Sequence, residues 1–215
     1  MVRYMLITAI LLGIFAVAGT GMVAYTFDKT EDRIAANERE ALLKSLHAIV
    51  PPALHDNDLS ADTITETSKE LLGTTKPVTV YRARKDGKPV AAILTPIAPD
   101  GYNGAIKLLV AIGYNGDIFG VRVISHHETP GLGDAVDTDK SDWITEFKGH
   151  SLGNPGELGW HVKRDGGDFD QFTGATITPR AVVNAVYNSL QYFKRHRDEL
   201  FVKNTTSTGE EHGTD

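Results

Sequence analysis

The sequence has no cysteine. This absence excludes cysteine-ligated iron–sulfur clusters, c-type haem attachment, disulfides and thiol catalysis. Basic residues are not in excess either, since the 215 residues carry a formal net charge of −6, which argues against a nucleic-acid-binding protein. No GxxxxGK[ST] phosphate-binding loop occurs, so the chain alone is not a nucleotide-driven pump. With 41% apolar and 23% charged residues, most of the chain can nevertheless form a folded core.

Charged side chains are missing altogether from residues 4–27, which form one long apolar run. As a helix this run spans roughly 36 Å, enough to cross a bilayer core of about 30 Å. Tyr4 and Tyr25 stand near its ends, where aromatic residues line the membrane surface. A cleaved signal peptide is the alternative, because Ala16-Val17-Ala18 fits the cleavage pattern. The apolar run continues well beyond that point, so we predict a retained membrane anchor at residues 1–27.

The segment that follows, residues 28–75, is predicted to be a helical linker. Residues 28–50 carry an apolar stripe at helical spacing, and Pro51-Pro52 stops the helix. Between this stop and residue 75, short polar and apolar pieces alternate, and we expect a second short helix near residues 64–72.

Residues 76–203 change to the period of β-strands. Alternation in residues 78–83, a turn at residues 85–88 and a further apolar run predict a hairpin. Residues 106–124 predict a second hairpin around an Asn-Gly turn, and residues 160–163 suggest another strand. We therefore predict an α+β fold, in which the membrane helix precedes one domain of antiparallel sheet with flanking helices.

The flanking helices are expected at two places. Residues 142–147 predict a short helix, and a long one is expected from Thr178 as N-cap with Pro179 in the first helical position. The tail, residues 204–215, is polar and is predicted to be disordered. The apolar face of the long helix consists of Val182, Val183, Val186, Leu190 and Phe193.

Three segments are candidates for chemistry. His126, His127 and Glu128 follow a predicted strand, but neighbouring strand residues point to opposite faces, which disfavours a metal site. The Pro-Gly-Leu-Gly stretch after them is either an ordinary turn or a loop whose amides approach a flat or anionic ligand. Residues 163–168 form a charged turn. Residues 170–179 lead a small-residue turn into a helix start, which is either an anion site or a capping turn.

Two of these segments together resemble one family. Residues 170–176 read Asp-Gln-Phe-Thr-Gly-Ala-Thr and look like the D-x-x-[ST]-G-A-T flavinylation motif. Residues 128–133 read Glu-Thr-Pro-Gly-Leu-Gly and look like a loop of the same FMN-binding domain. With its single N-terminal membrane helix, the chain up to the end of the last long helix resembles the G subunit of the Rnf (also called Rsx) ion-translocating oxidoreductases.

The resemblance implies a covalent FMN cofactor. In the family, a flavin transferase that uses FAD and a divalent metal joins FMN through its phosphate to the last Thr of the motif, here Thr176. Asp170 belongs to what the transferase recognises, and the loop at residues 128–133 lies against the flavin. Lys163 is the basic residue that we would test for an effect on the flavin potential. The remaining candidate contacts of the cofactor are Thr173, Gly174, Ala175, Glu128, Thr129, Gly131 and Leu132.

The function that the resemblance implies is electron transfer coupled to ion translocation, within an enzyme complex and without turnover by this chain alone. The implied partners are iron–sulfur and other membrane subunits, membrane lipid and the flavin transferase, with ferredoxin and NADH as the ultimate electron carriers and no nucleic acid. The implied location is the bacterial inner membrane, with the FMN domain in the periplasm. The residues alone leave two alternatives open: a cofactor-free, membrane-tethered binding module, and a stand-alone extracytoplasmic flavin reductase.

Overall fold

The computed structural model describes residues 1–202, so the expected disordered tail at residues 204–215 lies outside the described residues. Within the chain, contacts divide the residues into two compact units, Met1–Lys44 and a second unit that begins at Ser45. The second unit therefore includes residues that the sequence assigned to a linker, and it contains the whole β-sheet.

The first helix, α1, runs without interruption over Val2–Ile49. It joins the charge-free run and the helix expected at residues 28–50, and it ends just before the two prolines that were predicted to stop it. An 18-residue window within it reaches a mean hydropathy of 2.3, with none of its residues buried. Among the described residues it is the one helix long and apolar enough to cross a membrane.

The second unit is built on one antiparallel sheet of six strands. β2 pairs with β1 on one edge and with β3 on the other, while β5 pairs with β3, β4 and β6. β3 and β4 follow each other along the same edge of β5, so they act as one interrupted strand. The strands are β1 Thr63–Ser68, β2 Thr74–Lys85, β3 Lys88–Leu94, β4 Ile97–Ala98, β5 Ile106–Gly113 and β6 Ile118–Ser125.

The two hairpins expected from the sequence are confirmed. β2 and β3 are joined through Asp86 and Gly87, whose φ angles of 51° and 72° give the left-handed turn that matches the twist of the strands. β5 and β6 are joined around Gly116, with a φ of 95°. In both cases the turn chemistry and the alternation of apolar residues indicate the same structure, which is why the prediction succeeded.

Two other expectations were wrong. The helix near residues 64–72 is in fact strand β1, whose β-branched side chains alternate in burial and pair with β2 from Thr63 to Ser68. The strand at residues 160–163 is instead part of a loop with short 3₁₀ turns, in which Val162 makes a single bridge to Phe169. The chain turns back on itself here, since the backbone N–H of Gly167 donates to the carbonyl of Val162 at 3.2 Å. A Cβ on Gly167 would lie 2.1 Å from the carbonyl oxygen of His161, so the two segments approach too closely for any residue but glycine.

The second long helix, α2, covers Ile177–Leu200 and packs across β4 and β5. All five residues of its expected apolar face are buried. The expected N-cap was wrong, because Thr176 occupies the capping position and Thr178 lies inside the first turn, buried. The short helix expected at residues 142–147 is a 3₁₀ turn at Trp143–Thr145, whose aromatic ring packs on Phe147 in the core.

Candidate functional site

A pocket of about 280 Å³ opens where three connections of the second unit meet. These are the loop at residues 101–104 before β5, the loop at residues 128–133 after β6, and the turn that leads into α2. The pocket therefore brings together the two segments on which the sequence resemblance was based. Its lining consists of Tyr102, Glu128, Thr129, Leu132, Gly133, Gly174, Ala175, Thr176, Ile177 and Thr178.

Glu128 holds these three connections together. Its side chain is buried, with 4% of the residue exposed, and its Oε2 accepts a hydrogen bond from the Thr178 hydroxyl of α2. Its Oε1 accepts a hydrogen bond from the backbone N–H of Asn103, 3.1 Å away. A buried carboxylate needs such donors, because an unsatisfied one is costly. Glu128 thus fixes the pocket walls relative to each other.

Glycines make room for this carboxylate. A Cβ on Gly133 would lie 2.6 Å from Glu128 Oε2 and 2.7 Å from Thr178 Oγ1, which is too close for either atom. A Cβ on Gly101 would lie 2.9 Å from Glu128 Oε1. The sequence predicted a tight turn around Gly133, but the reason for a glycine there is the close approach of these two side chains, which belong to segments fifty residues apart.

The mouth of the pocket is apolar and exposed. Tyr102 and Leu132 are 65% and 43% exposed, and Ile177 is 44% exposed. Sequence reasoning missed Tyr102. The available signal was an aromatic residue within the short loop segment Gly101 to Gly104, where a large side chain is expected to be exposed. Exposed apolar side chains around a cleft are typical of a site that receives a flat apolar ligand.

The turn before α2 carries three hydroxyls in different surroundings. Thr173 is exposed and is not part of the pocket lining, whereas Thr178 is buried and donates to Glu128. Thr176 lines the pocket, is half-buried, and its Oγ1 lies 3.4 Å from Nη1 of Arg164. Of the three, Thr176 is the one that lines the pocket without being buried.

Small residues beside Thr176 leave space for a bulky group. Gly174 has a φ of 80°, and a Cβ built on it would meet only Leu132 Cδ2, 3.5 Å away. Ala175 is the next residue along the lining. An apolar cleft with small residues, an aromatic rim and a hydroxyl at its edge fits a flat ring such as that of a flavin.

Four of the candidate residues lie outside the pocket lining. Lys163 and Asp170 form an ion pair with 2.7 Å between Nζ and Oδ1, with both side chains about half exposed. The hydrogen bond to Asp170 raises the pKa of the Lys163 ammonium. Gly131 has a φ of 76° and open space at its Cβ position, so its glycine serves the backbone conformation. Thr173, described above, is the fourth.

The histidines near the loop make contacts of their own. His126 Nε2 lies 2.9 Å from Asp137 Oδ2, and His126 Nδ1 accepts from the backbone N–H of Glu128 at 3.0 Å. Across residues 1–202, no three or more His, Asp or Glu side chains are grouped as metal ligands. His126 therefore positions the start of the loop that carries Glu128.

Comparisons with known proteins give two family models and several similar proteins. The model of the FMN-binding domain family matches residues 101–191, and the model of the RnfG N-terminal region matches residues 1–49. A similar protein from Shewanella baltica, the G subunit of an ion-translocating oxidoreductase complex, is 49% identical over 89% of this chain and 90% of its own length. Proteins of the same name from Pseudomonas aeruginosa (49% identical, 92% of each chain) and Vibrio cholerae (47% identical, 89% of this chain and 91% of the relative) are also similar.

Proposed function

The chain belongs to the family of G subunits of ion-translocating oxidoreductase complexes, and from that premise we propose that it carries its FMN covalently on Thr176. It is a membrane-anchored flavin electron carrier that works with the other subunits of such a complex. The FMN-binding domain at residues 101–191 favours this function over a cofactor-free binding module. When bound, FMN supplies the ability to accept and release electrons one or two at a time.

The position of Thr176 carries this proposal. It stands at the edge of the pocket, directly before α2, where unpaired backbone N–H groups and the helix dipole favour a negative phosphoryl group. Thr178 is committed to Glu128, and Thr173 is outside the lining. The hydroxyl of Thr176 is therefore the acceptor that the geometry of this turn favours.

The attachment is a phosphoryl transfer by a separate flavin transferase. A bond forms between Thr176 Oγ1 and the flavin-side phosphorus of FAD, the pyrophosphate bond of FAD breaks, AMP leaves, and the hydroxyl proton passes to solvent. A phosphodiester cannot dissociate, which retains the cofactor in a compartment that holds little free FMN. Asp170 and Thr173, outside the pocket but within the motif, are proposed to be read by the transferase rather than by the flavin.

The decisive test is Thr176→Val, which keeps the shape of the side chain and removes the nucleophile. Co-expressed with the transferase, the variant is expected to lack the mass of one FMN less a water and to show no flavin fluorescence on a denaturing gel. Thr138→Val is the matched control, because it removes an exposed hydroxyl outside the motif and outside the pocket lining, and it should remain fluorescent. Covalent flavin on the Thr176→Val chain would overturn the assignment.

We further propose that the FMN domain faces the periplasm from the bacterial inner membrane, and that iron–sulfur or flavin centres of other subunits exchange electrons with it. A reporter that is active only after export, fused after Phe201, should be active. Activity of a cytoplasm-only reporter at that position, or a mature N-terminus at Gly19, would contradict this topology.

Electron exchange with other subunits would take place at the open mouth of the pocket and needs no separate substrate site. The exposed rim of Tyr102 and Leu132 leaves the edge of a bound ring open to a partner subunit. Ferredoxin and NADH remain the proposed ultimate electron carriers on the other side of the membrane. A purified chain that reduces an added acceptor with NADH, in the absence of every other subunit, would favour the stand-alone reductase instead.

A further inference from the structure

We propose that the guanidinium of Arg164 binds the phosphoryl group that joins FMN to Thr176. This inference rests on the proposed attachment and adds a cofactor-binding residue to it. Arg164 lies in the charged turn at residues 163–168, which the sequence could not connect to the pocket. Its Nη1 is 3.4 Å from Thr176 Oγ1, the atom that would become the ester oxygen.

The turn that carries Arg164 is held in place from both sides. Asp165 accepts two hydrogen bonds from Arg180 in the first turns of α2, at 2.6 and 2.9 Å. The backbone N–H of Arg164 itself donates to Gln171 Oε1 at 3.1 Å. With the neighbouring ion pair of Lys163 and Asp170, these contacts tie the 3₁₀ turn Lys163–Asp165 to the attachment segment. The guanidinium therefore reaches Thr176 from a fixed base.

Charge pairing distinguishes Arg164 from the other cations of this region. Lys163 pairs with Asp170, and Arg180 pairs with Asp165. Among the ion pairs of residues 1–202, none gives Arg164 a carboxylate partner within 4.0 Å. A guanidinium that has no carboxylate within 4.0 Å among these residues and lies beside the attachment oxygen is suited to an anion, because its planar donors match two phosphoryl oxygens at once.

In the flavin-free chain, the guanidinium of Arg164 contributes little to stability. Its contact with the neutral hydroxyl of Thr176 is long, and its side chain lies at the surface, so its removal should hardly affect folding. After attachment, the same guanidinium faces a phosphodiester that carries one negative charge, with two free oxygens one bond beyond the phosphorus that Oγ1 binds. A hydrogen bond between two charged groups then replaces a long one from the same charged donor to a neutral hydroxyl.

The test uses the full-length chain, expressed without the transferase and then incubated with transferase, FAD and Mg²⁺. Intact mass measured over time gives the rate of modification. We expect Arg164→Gln to slow it roughly tenfold, the factor that corresponds to the loss of one charged hydrogen bond, and Arg164→Lys to recover part of the rate. Arg195→Gln is the matched control, since Arg195 is an exposed arginine about five turns along α2 and should be modified at the wild-type rate.

A second measurement examines the product after modification is complete. In the ³¹P NMR spectrum, Arg164→Gln should move the phosphodiester resonance towards its position in the urea-unfolded protein, and added Mn²⁺ should broaden it more than in the wild type. Arg164→Lys should resist this broadening, because it keeps the positive charge. A merely structural role would not move the resonance of a folded chain.

The possible results distinguish the role of Arg164 from the attachment of FMN to Thr176. If peptide mass spectrometry finds no FMN on Thr176 of the wild type, the proposed attachment fails. If Thr176 carries FMN, and Arg164→Gln matches the wild type in both rate and ³¹P resonance, only the role of Arg164 is overturned. Loss of modification that Arg164→Lys does not recover at all would also overturn it, because the positive charge would then not be the property that matters.

Discussion

Among single residues, Glu128 has the largest influence on the pocket. Its two carboxylate oxygens serve different segments, Oε2 the α2 residue Thr178 and Oε1 the backbone of Asn103. The Thr178 hydroxyl is buried and the bond to the Asn103 N–H is partly buried, so this acceptor matters most to Thr178. The carboxylate thus acts on the cofactor site by fixing its walls, a role different from direct contact with the ring.

Removal of this carboxylate should cost stability in a graded way. Glu128→Ala leaves the buried Thr178 hydroxyl and the partly buried Asn103 N–H without this acceptor and should lower the free energy of unfolding by about 2 kcal/mol. Glu128→Gln should cost about 1 kcal/mol, because its carbonyl oxygen can still accept from Asn103 and its amide can donate to the Thr178 oxygen. Urea denaturation followed by tryptophan fluorescence measures this, since both tryptophans lie in the second unit.

Glu70→Gln provides the control, because Glu70 is exposed and its change should stay within about 0.5 kcal/mol. Equal stability of Glu128→Ala and the wild type would show that the carboxylate is not needed for the fold of the pocket.

For single residues, the sequence identified members of the site through a motif but could not predict which side chains they contact. Glu128 and Thr176 were both singled out, and both line the pocket. Thr178 was taken as a helix cap because Thr before Pro fits that role locally; its actual partner is fifty residues away, and no local pattern encodes such a pair. The contact between Arg164 and Thr176 was missed for the same reason, although Arg164 does lie at the surface.

Among the elements, α2 is held at both ends. Near its N-terminus Thr178 is bound by Glu128, and at its C-terminus two arginines of β2 donate to backbone carbonyls. Arg82 donates to the carbonyl of Val202 at 2.8 Å, and Arg84 to that of Phe201 at 3.0 Å. Both guanidinium groups also bind the carboxylate of Asp62, which compensates the burial of their charge.

Asp62→Asn should therefore destabilise the second unit. It removes the negative charge between two arginine side chains that are only 6% and 11% exposed, and we expect a loss of about 2–3 kcal/mol. Asp139→Asn is the surface control, since Asp139 is exposed. Amide hydrogen exchange should increase first in the last turns of α2. Unchanged exchange there would mean that the arginines hold the helix end without Asp62.

A pH dependence should arise from the contact between α2 and β1. The hydroxyl of Tyr192 donates to Glu66 at 2.6 Å, and burial, together with this bond, raises the pKa of Tyr192 above its ordinary value near 10. A raised folded pKa gives stability that is fully present below about pH 10 and is lost as the pH rises and the unfolded tyrosine ionises first.

The comparison that isolates this effect is Tyr192→Phe. Between about pH 9 and 11, the free energy of unfolding should fall less steeply in the variant than in the wild type, because the other tyrosines titrate in both. Parallel pH profiles for the two proteins would argue against an ionisation-linked contribution from Tyr192.

The sequence predicted elements well where local and distant preferences agree. The hairpins had both turn residues and alternation, and the apolar face of α2 had a clear helical period. β1 was missed because its register depends on pairing with β2, and residues 63–68 contain too few apolar side chains for a strong pattern. The loop at residues 157–168 has no regular hydrogen-bond pattern that a period could reveal.

For the whole molecule, the first structural boundary falls inside a helix. The second unit begins at Ser45, and it buries Leu46 and Ile49 at the end of α1 and Val50 directly after it, each at most 3% exposed. A Cβ on Gly120 of β6 would lie 2.8 Å from Ile49 Cγ2, so a glycine is required there. The sequence placed the boundary of the domain at residue 76, where the period changes, and pairing of β1 with β2 crosses that point.

Truncation should reveal this boundary. A chain that begins at Ser45 should unfold at the same urea concentration as the full-length protein, whereas one that begins at Pro51 loses three buried apolar side chains and should lose roughly 5 kcal/mol. In the full-length chain, Ile49→Ala should cost about 2–4 kcal/mol, and Ile34→Ala, at an exposed position, should cost the second unit nothing measurable. Equal midpoints for both truncated chains would place the boundary later than Ser45.

The buried hydroxyl of Thr178 has a consequence for the order of events during maturation. In an unfolded chain, three threonines within six residues are equally open to a modifying enzyme. Thr178 is hidden only once Glu128, far upstream, has arrived beside it. Folding therefore withdraws one of the three hydroxyls, and the motif read by the transferase distinguishes Thr176 from Thr173, which stays exposed. We expect chains that are kept unfolded to carry flavin on Thr178 as well as on Thr176 when they meet the same transferase, whereas modification at Thr176 alone would show that the motif suffices.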